Sequence, residues 1–297
     1  MSKLITVPSS PWFISSTFTL NRAVGVTASP FTGKQRTQEY DMVLWTGDVT
    51  LPPMNRAQAA NWQSFLLECV GSVNTFNFID PDAKAPTGTY SANTLSAEIR
   101  VNSGANVESA TLSFTASSST LQSTTDIFDG CIAGDFITIS GANNVENNST
   151  HKIATFTSNS IVILDSSLAD ESSTAGCKVR QNIKGSEALS LQASGAAITG
   201  TIKKGDYLAI YSGSAATSPR VQLVMATDDA TVTVNGGNDH YSIPIQPKLR
   251  APITDNTLIG FANGHNTSQF RLQENNINWS ANQVSLYGIT FAFTEVI

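Results

Sequence analysis

"SPFTGKQRTQEYDMVLWTGDVTLPPMNRAQAANWQSFLLECVG", Ser29 to Gly71, carries three signals in succession. Tyr40–Leu51 ("YDMVLWTGDVTL") alternates apolar and polar residues with β-branched side chains among them, the pattern of a half-buried strand. Pro52 and Pro53 cannot donate to a sheet ladder, so the strand must stop there. Asn55 is then a good N-cap, and from Arg56 the residues Ala59, Trp62, Phe65, Leu66, Cys69 and Val70 recur at helical steps until Gly71 closes the helix. At ~1.5 Å per residue the helix is a rod of roughly 22 Å with one apolar stripe, and that stripe must lie on a sheet. Full burial of Trp62, Phe65 and Leu66 contributes on the order of 2 kcal/mol each before chain entropy is subtracted.

Before this stretch, Phe18–Val26 ("FTLNRAVGV") reads as a second strand. Pro30 and Gly33 supply turn residues between the two, so a long polar hairpin is predicted. After the helix, Phe76 and Phe78 stand two apart in "VNTFNFIDPDA", a strand ended by Pro81. The closing stretch "INWSANQVSLYGITFAFTEVI" places Val284, Leu286, Ile289, Phe291 and Phe293 along a last strand, whose best partners are the early strands that carry the helix. Residues 1–86 and 262–297 are therefore expected to form one discontinuous belt domain, a β-barrel or sandwich with one packed helix.

From about Thr87 the helical periodicity disappears and large residues become sparse. Here an internal repeat stands out: "GDFITI" (Gly134–Ile139) returns 71 residues later as "GDYLAI" (Gly205–Ile210), and at the same offset Ile153–Ile163 aligns with Val224–Val234. Two similar inserted β-modules, 87–182 and 183–261, are expected. Overall the chain reads as mainly β.

The composition agrees. Only 13% of the 297 residues are charged while 40% are hydrophobic, which suits β-structure with polar loops and not a coiled coil or a disordered chain. A formal charge of -6, with basic residues scattered, argues against gripping nucleic acid by phosphate neutralisation. Cys69, Cys131 and Cys177 have no metal-like spacing and are expected as reduced packing residues. The start "MSKLITVPSSPWF" resembles neither a signal peptide nor a membrane span, so the Asn-x-Ser/Thr matches carry little weight.

No chemistry-bearing motif emerges. His151, His240 and His265 lack metal-ligand spacing, and no nucleophile elbow, phosphate loop or dinucleotide fingerprint is present. "NGGND" (Asn235–Asp239) reads as a hairpin turn. Asp80 with Asp82 and Asp228 with Asp229 are candidate carboxylate pairs for glycoside hydrolysis, and each sits where Asp serves turn geometry. The reading is therefore of a protein that is not an enzyme, with no catalytic, cofactor or metal residues.

Phe18–Asp41, Leu51–Leu67 ("LPPMNRAQAANWQSFLL") and Phe78–Ala83 ("FIDPDA") resemble the N-terminal region of the distal tail proteins of long-tailed bacteriophages. The "GDYLAI" module, "IQPKLRAPITDNTLIGF" (Ile245–Phe261) and "VSLYGITFAF" (Val284–Phe293) extend the resemblance. The first repeat copy is similar to small β-modules of phage tail and fibre proteins and departs from the simpler family pattern. The resemblance implies a virion protein of the tail tip, assembled in the host bacterial cytoplasm as a homohexameric ring. Such a ring joins the tail-tube protein to the hub and to receptor-binding or fibre proteins. DNA would only pass through its lumen, where acidic walls would repel it. On that view the loop Thr32–Gln38, with Lys34, Gln35 and Arg36, is the expected assembly junction. A different reading makes the inserted modules carbohydrate-binding adhesion surfaces, with Tyr207, Tyr211 and Tyr241 as exposed glycan contacts. A hydrolase of cell-wall polymers has only the Asp pairs behind it.

Overall fold

The computed structural model describes residues 2–89, 99–102, 104–193, 200–235, 238–261 and 264–296. In chain order its first elements are β1 (Leu4–Ile5), β2 (Ser15–Ala28), β3 (Gln35–Thr50), α1 (Arg56–Cys69) and β4 (Thr75–Phe78). Next come β5 (Ile99–Val101), β6 (Val107–Thr115), β7 (Thr120–Ser123), β8 (Phe136–Ser140), β9 (Thr150–Ser158), β10 (Ile161–Leu164) and β11 (Glu171–Arg180). After these come β12 (Ala188–Ala193), β13 (Tyr207–Tyr211), β14 (Arg220–Ala226), β15 (Thr231–Asn235), β16 (Asn238–Gln246) and β17 (Leu258–Gly260). The chain finishes with β18 (Ser268–Leu272), β19 (Ser280–Ala281), β20 (Tyr287–Gly288) and β21 (Thr290–Glu295). The protein is mainly β, with a closed barrel and, among the described residues, one α-helix.

Two compact units result. The first gathers Met1–Lys84, Arg220–Leu223 and Thr267–Ile297; the second holds Ala85–Pro219 and Val224–Asn266.

In the first unit a six-stranded sheet runs in the order β1-β4-β18-β21-β3-β2. The last strand lies beside the strand that precedes the helix, Phe293 opposite Gly47 and Thr290 opposite Thr50. A capping box starts α1: Asn55 Oδ1 accepts from Gln58 N–H at 2.9 Å, and Gln58 Oε1 accepts from Asn55 N–H at 3.2 Å. The helix buries Ala59, Trp62, Phe65, Leu66 and Cys69. These meet an aromatic layer: Trp62 lies 5.8 Å from Phe65, Phe65 5.3 Å from Phe76, and Phe78 4.6 Å from Phe293. Val70 does not extend the buried stripe, because it is itself the C-cap, at φ 50, and turns outward to solvent. Val284 and Leu286 also differ from the sequence reading: both are exposed, and the last strand starts at Thr290, after the β19–β20 hairpin.

The second unit holds the repeat, and its two copies share one turn. Gly134 and Gly205 take φ 99 and φ 92, conformations that suit glycine. Each following Asp accepts a backbone N–H three residues back: Ile132 N–H to Asp135 at 3.1 Å, Lys203 N–H to Asp206 at 2.8 Å. Each Gly then donates to the next strand, Gly134 to Ile153 O at 2.7 Å and Gly205 to Ala226 O at 2.9 Å. Ile153 therefore corresponds to Ala226 and not to Val224, a correction of two residues to the sequence alignment; an even shift keeps the same side chains facing inward.

Both copies close into rings of six strands. The first is the barrel β10-β7-β6-β11-β8-β9. In the second, β12-β5-β17-β13-β14-β16 returns on itself because β16 also pairs with β12, from Ala188 opposite Pro244 to Gln192 opposite His240. Strand for strand the pairing order is the same, with β16 in the place of β10 and β15 an extra strand on β16. The modules are consequently nested and not consecutive. Ile99 and Val101, which the sequence reading assigned to the 87–182 module, pack in the core of the second ring with Leu189, Leu191, Ile210 and Tyr241. The first barrel sits between β5 and β12, around its own core of Leu112, Phe114, Ile137, Ile139, Val162 and Val179. A hydrophobic pattern cannot reveal this, because three-residue β5 closes a ring whose other strands begin at Ala188.

Candidate assembly arm

The hairpin β2–β3 divides at a bulge. From Ser15 opposite Thr50 to Arg22 opposite Val43 the pairing is regular; beyond it Val24 faces Glu39, which leaves Tyr40, Asp41 and Met42 against Ala23. Two extra residues on one strand bend it and re-aim the outer half of the hairpin. On the near side, Val43, Trp45, Gly47 and Val49 are buried in alternation. On the far side the burial ends, and every residue from Pro30 to Tyr40 is exposed.

Among the described residues the far part is a two-stranded ribbon paired only with itself, since β21 reaches β3 only between Thr46 and Thr50. Five pairs, Val24–Glu39 to Ala28–Gln35, extend it by roughly 17 Å at ~3.3 Å per residue. Its turn is closed by Ser29 O accepting from Gly33 N–H and Lys34 O accepting from Ser29 N–H, each at 2.9 Å, with Gly33 at φ 66. One face carries Val24 and Val26 across from Glu39 and Thr37; on the other, Tyr40 lies against Gly25, where an added Cβ would stand 3.3 Å from its ring. Phe31 at the tip is 95% exposed, and Met42 at the bulge 60%. Arg22 and Glu39 form an ion pair across the bend at 3.7 Å.

Lys34, Gln35 and Arg36 lie together at this tip: Lys34 ends the turn, Gln35 pairs with Ala28, and Arg36 pairs with Thr27. The apolar residues of the ribbon were not singled out from sequence, because alternation there looks the same as in a strand with a buried face.

Tyr207, Tyr211 and Tyr241 are not surface residues: they are 7%, 1% and 0% exposed. Central strand β13 is buried at all five positions, and Tyr241 belongs to the core of its ring, where burial pushes its hydroxyl up to about 12. The Asp pairs serve local structure. Asp80 caps the N–H of Asp82 at 3.2 Å, while Asp229 binds Lys203 Nζ at 2.6 Å and accepts from Lys204 N–H at 3.0 Å. His151 and His240 are buried and hydrogen-bonded, and desolvation lowers both below the usual imidazole value. Among the described residues no group of His, Cys, Asp or Glu could hold a metal ion, and no helix is long and apolar enough to cross a membrane. No model of a known protein family matches the chain, and no curated protein matches it.

Proposed function

We propose that the chain is a structural subunit of a phage tail tip, six copies of which close into a ring joining the tail tube to the hub and receptor-binding or fibre proteins. The observation that carries assembly is the arm. A lone two-stranded ribbon is marginal in water, and this one holds Val24, Val26, Phe31, Tyr40 and Met42 in solvent, an arrangement that needs a covering surface. The occupant we assign is a second copy of this chain. Strand β2 forms an open edge of 14 residues, and an arm from one copy laid on a different surface of the next makes a head-to-tail contact, the kind that closes into rings. The tail-tip assignment rests on the sequence blocks that resemble distal tail proteins; the arm supports the assembly.

Sedimentation and negative-stain microscopy of the full chain test the reading. Ring-sized particles that Phe31→Ser with Met42→Ser, or Lys34→Glu with Arg36→Glu, convert to folded monomers support it. Monomers of the native chain at all concentrations, or rings unaffected by both double variants, count against the arm. Electron microscopy of virions carrying the chain places it at the tip of the tail tube if the tail assignment holds, and elsewhere if it does not.

A further inference from the structure

We propose that the second unit binds an acidic sugar residue in a cavity between its two β-rings, a site that needs no ring assembly. The cavity measures about 360 Å³, within the range of small-ligand sites, and is lined by Phe136, Thr138 and Thr150 from the first ring, Arg180, the connection Asn182–Ala188, and Lys248. In a chain of net charge -6 its lining gathers three cations, Arg180, Lys184 and Lys248, against one carboxylate, Glu187.

Arg180 is the informative group. Its Nη2 donates to both carboxylate oxygens of Glu108, at 2.6 and 2.7 Å, which fixes the guanidinium. Its Nε–H is closed off by the protein, but the side chain stays 42% open, so the rest of the guanidinium can be reached from the cavity it lines. A guanidinium already held in place donates a charge-assisted hydrogen bond, stronger than a neutral one, to an oxyanion there. Lys248, whose Nζ stands 3.2 Å from Glu187, brings a second cation to the same space.

The remaining lining selects what carries the oxyanion. Thr138 and Thr150 hydroxyls share one hydrogen bond of 2.8 Å, leaving further donor and acceptor capacity for ligand hydroxyls. Phe136 adds a half-buried aromatic ring of the kind that packs against the C–H face of a sugar. Carboxylate, hydroxyls and an apolar ring face occur together in a uronic acid; inorganic phosphate offers only the charge. Asn182 does not select, because its side chain is spent within the fold on Asn102 O at 3.1 Å and Ser190 N–H at 3.0 Å.

The test is calorimetric titration of the full chain with digalacturonate, cellobiose and inorganic phosphate, with the Arg Nε–H resonances followed by NMR. We expect digalacturonate to bind, to move one buried Arg Nε–H signal, and to be weakened about tenfold or more by Arg180→Gln and by Lys248→Gln, with cellobiose and phosphate at least about tenfold weaker than digalacturonate. Lys248→Gln decides the matter if Arg180→Gln fails to fold. No binding of digalacturonate, equal binding of cellobiose or of phosphate, or affinity unchanged in the variants overturns the site. None of these outcomes bears on whether the chain forms rings.

Discussion

The indole ring of Trp62, midway along the helix, lies 6.1 Å from the ring of Phe291 in the last strand. This contact holds the N-terminal helix and the C-terminal strand in one core. Trp62 is fully buried, yet its Nε1–H has no acceptor among the described residues. Phe291→Ala should cost about 3–5 kcal/mol in denaturant unfolding of the first unit, as for other buried aromatics. Trp62→Phe should stay within about 1 kcal/mol of the native chain, because removing an unpaired buried donor offsets the lost ring volume. A large loss in Trp62→Phe would show that the lost packing outweighs relief of the unpaired donor.

Gly47 is required by the strands on both sides of it. A Cβ there would press hardest on the backbone carbonyl of Thr17 and would stand 2.7 Å from Phe293 Cζ. Gly47→Ala should therefore destabilise the first unit by about 1–3 kcal/mol, through overpacking and not through backbone strain. Adding Phe293→Leu should recover part of that loss, which a double-mutant cycle measures.

Asp135 makes the second unit sensitive to pH. Desolvation by burial raises its carboxyl from 3.8 to about 6, against the hydrogen bonds from Ser190, Ile132 N–H, Gln181 and Ser242 that favour the charged form. An acid raised on folding contributes fully at pH below its unfolded value and loses that contribution as pH rises. Asp135 should thus contribute a fall on the order of 3 kcal/mol between about pH 4 and pH 6, opposed below the usual imidazole value by His151 and His240, whose lowered rings favour the folded state as pH rises. Asp135→Asn should remove the falling component, so that stability in urea titrations rises more steeply over this range than in the native chain; an identical profile would mean that Asp135 does not supply it.

Glu171 works in the opposite sense. Burial would raise its carboxyl, but hydrogen bonds from Thr174, the N–H groups of Asn143 and Asn144, and the Asn147 side chain outweigh burial and hold it down to about 2. Stability from a depressed acid is present above the unfolded value and is lost as pH falls through the folded one. Amide exchange at Asn143 and Asn144 should accelerate as pH drops from about 4.5 toward 2, beyond the intrinsic pH dependence, and Glu171→Gln should show the faster exchange at neutral pH.

Cys69, Cys131 and Cys177 are free and fully buried, and desolvation raises all three thiols, Cys69 to about 12. Since the thiolate is the reactive form, a disulfide reagent at pH 8 should leave the native chain unmodified and label all three cysteines in guanidinium. Rapid labelling of one thiol in the native state would locate a region that opens.

Much of the first unit was legible in its sequence because its signals are local. The Pro52-Pro53 stop, the Asn55 cap, the stripe from Ala59 to Cys69 and the Phe291–Phe293 alternation each act within a few residues. The Gly-Asp turn was legible for the same reason: Gly supplies the positive φ, and Asp reaches back three residues. Lys34, Gln35 and Arg36 marked the tip of the arm, since a turn flanked by two strands must project. The three tyrosines misled because a Tyr in an alternating strand carries no sign of which faces are covered.

Closure was decided only in three dimensions. That three-residue β5 completes the second ring, and that β16 replaces β15 as counterpart of β10, depends on pairings between segments far apart in the chain, whose energy is collective and leaves no periodic mark. The bulge at Tyr40–Met42 likewise separates buried hairpin from exposed arm without altering the alternation on either side. Arg180 and Lys248 come from separate segments, and the cavity they line exists only once both rings are closed. Local chemistry in the sequence set the elements and their turns; the burial of side chains on two-sided sheets, a property of the whole assembly of strands, set which of them meet.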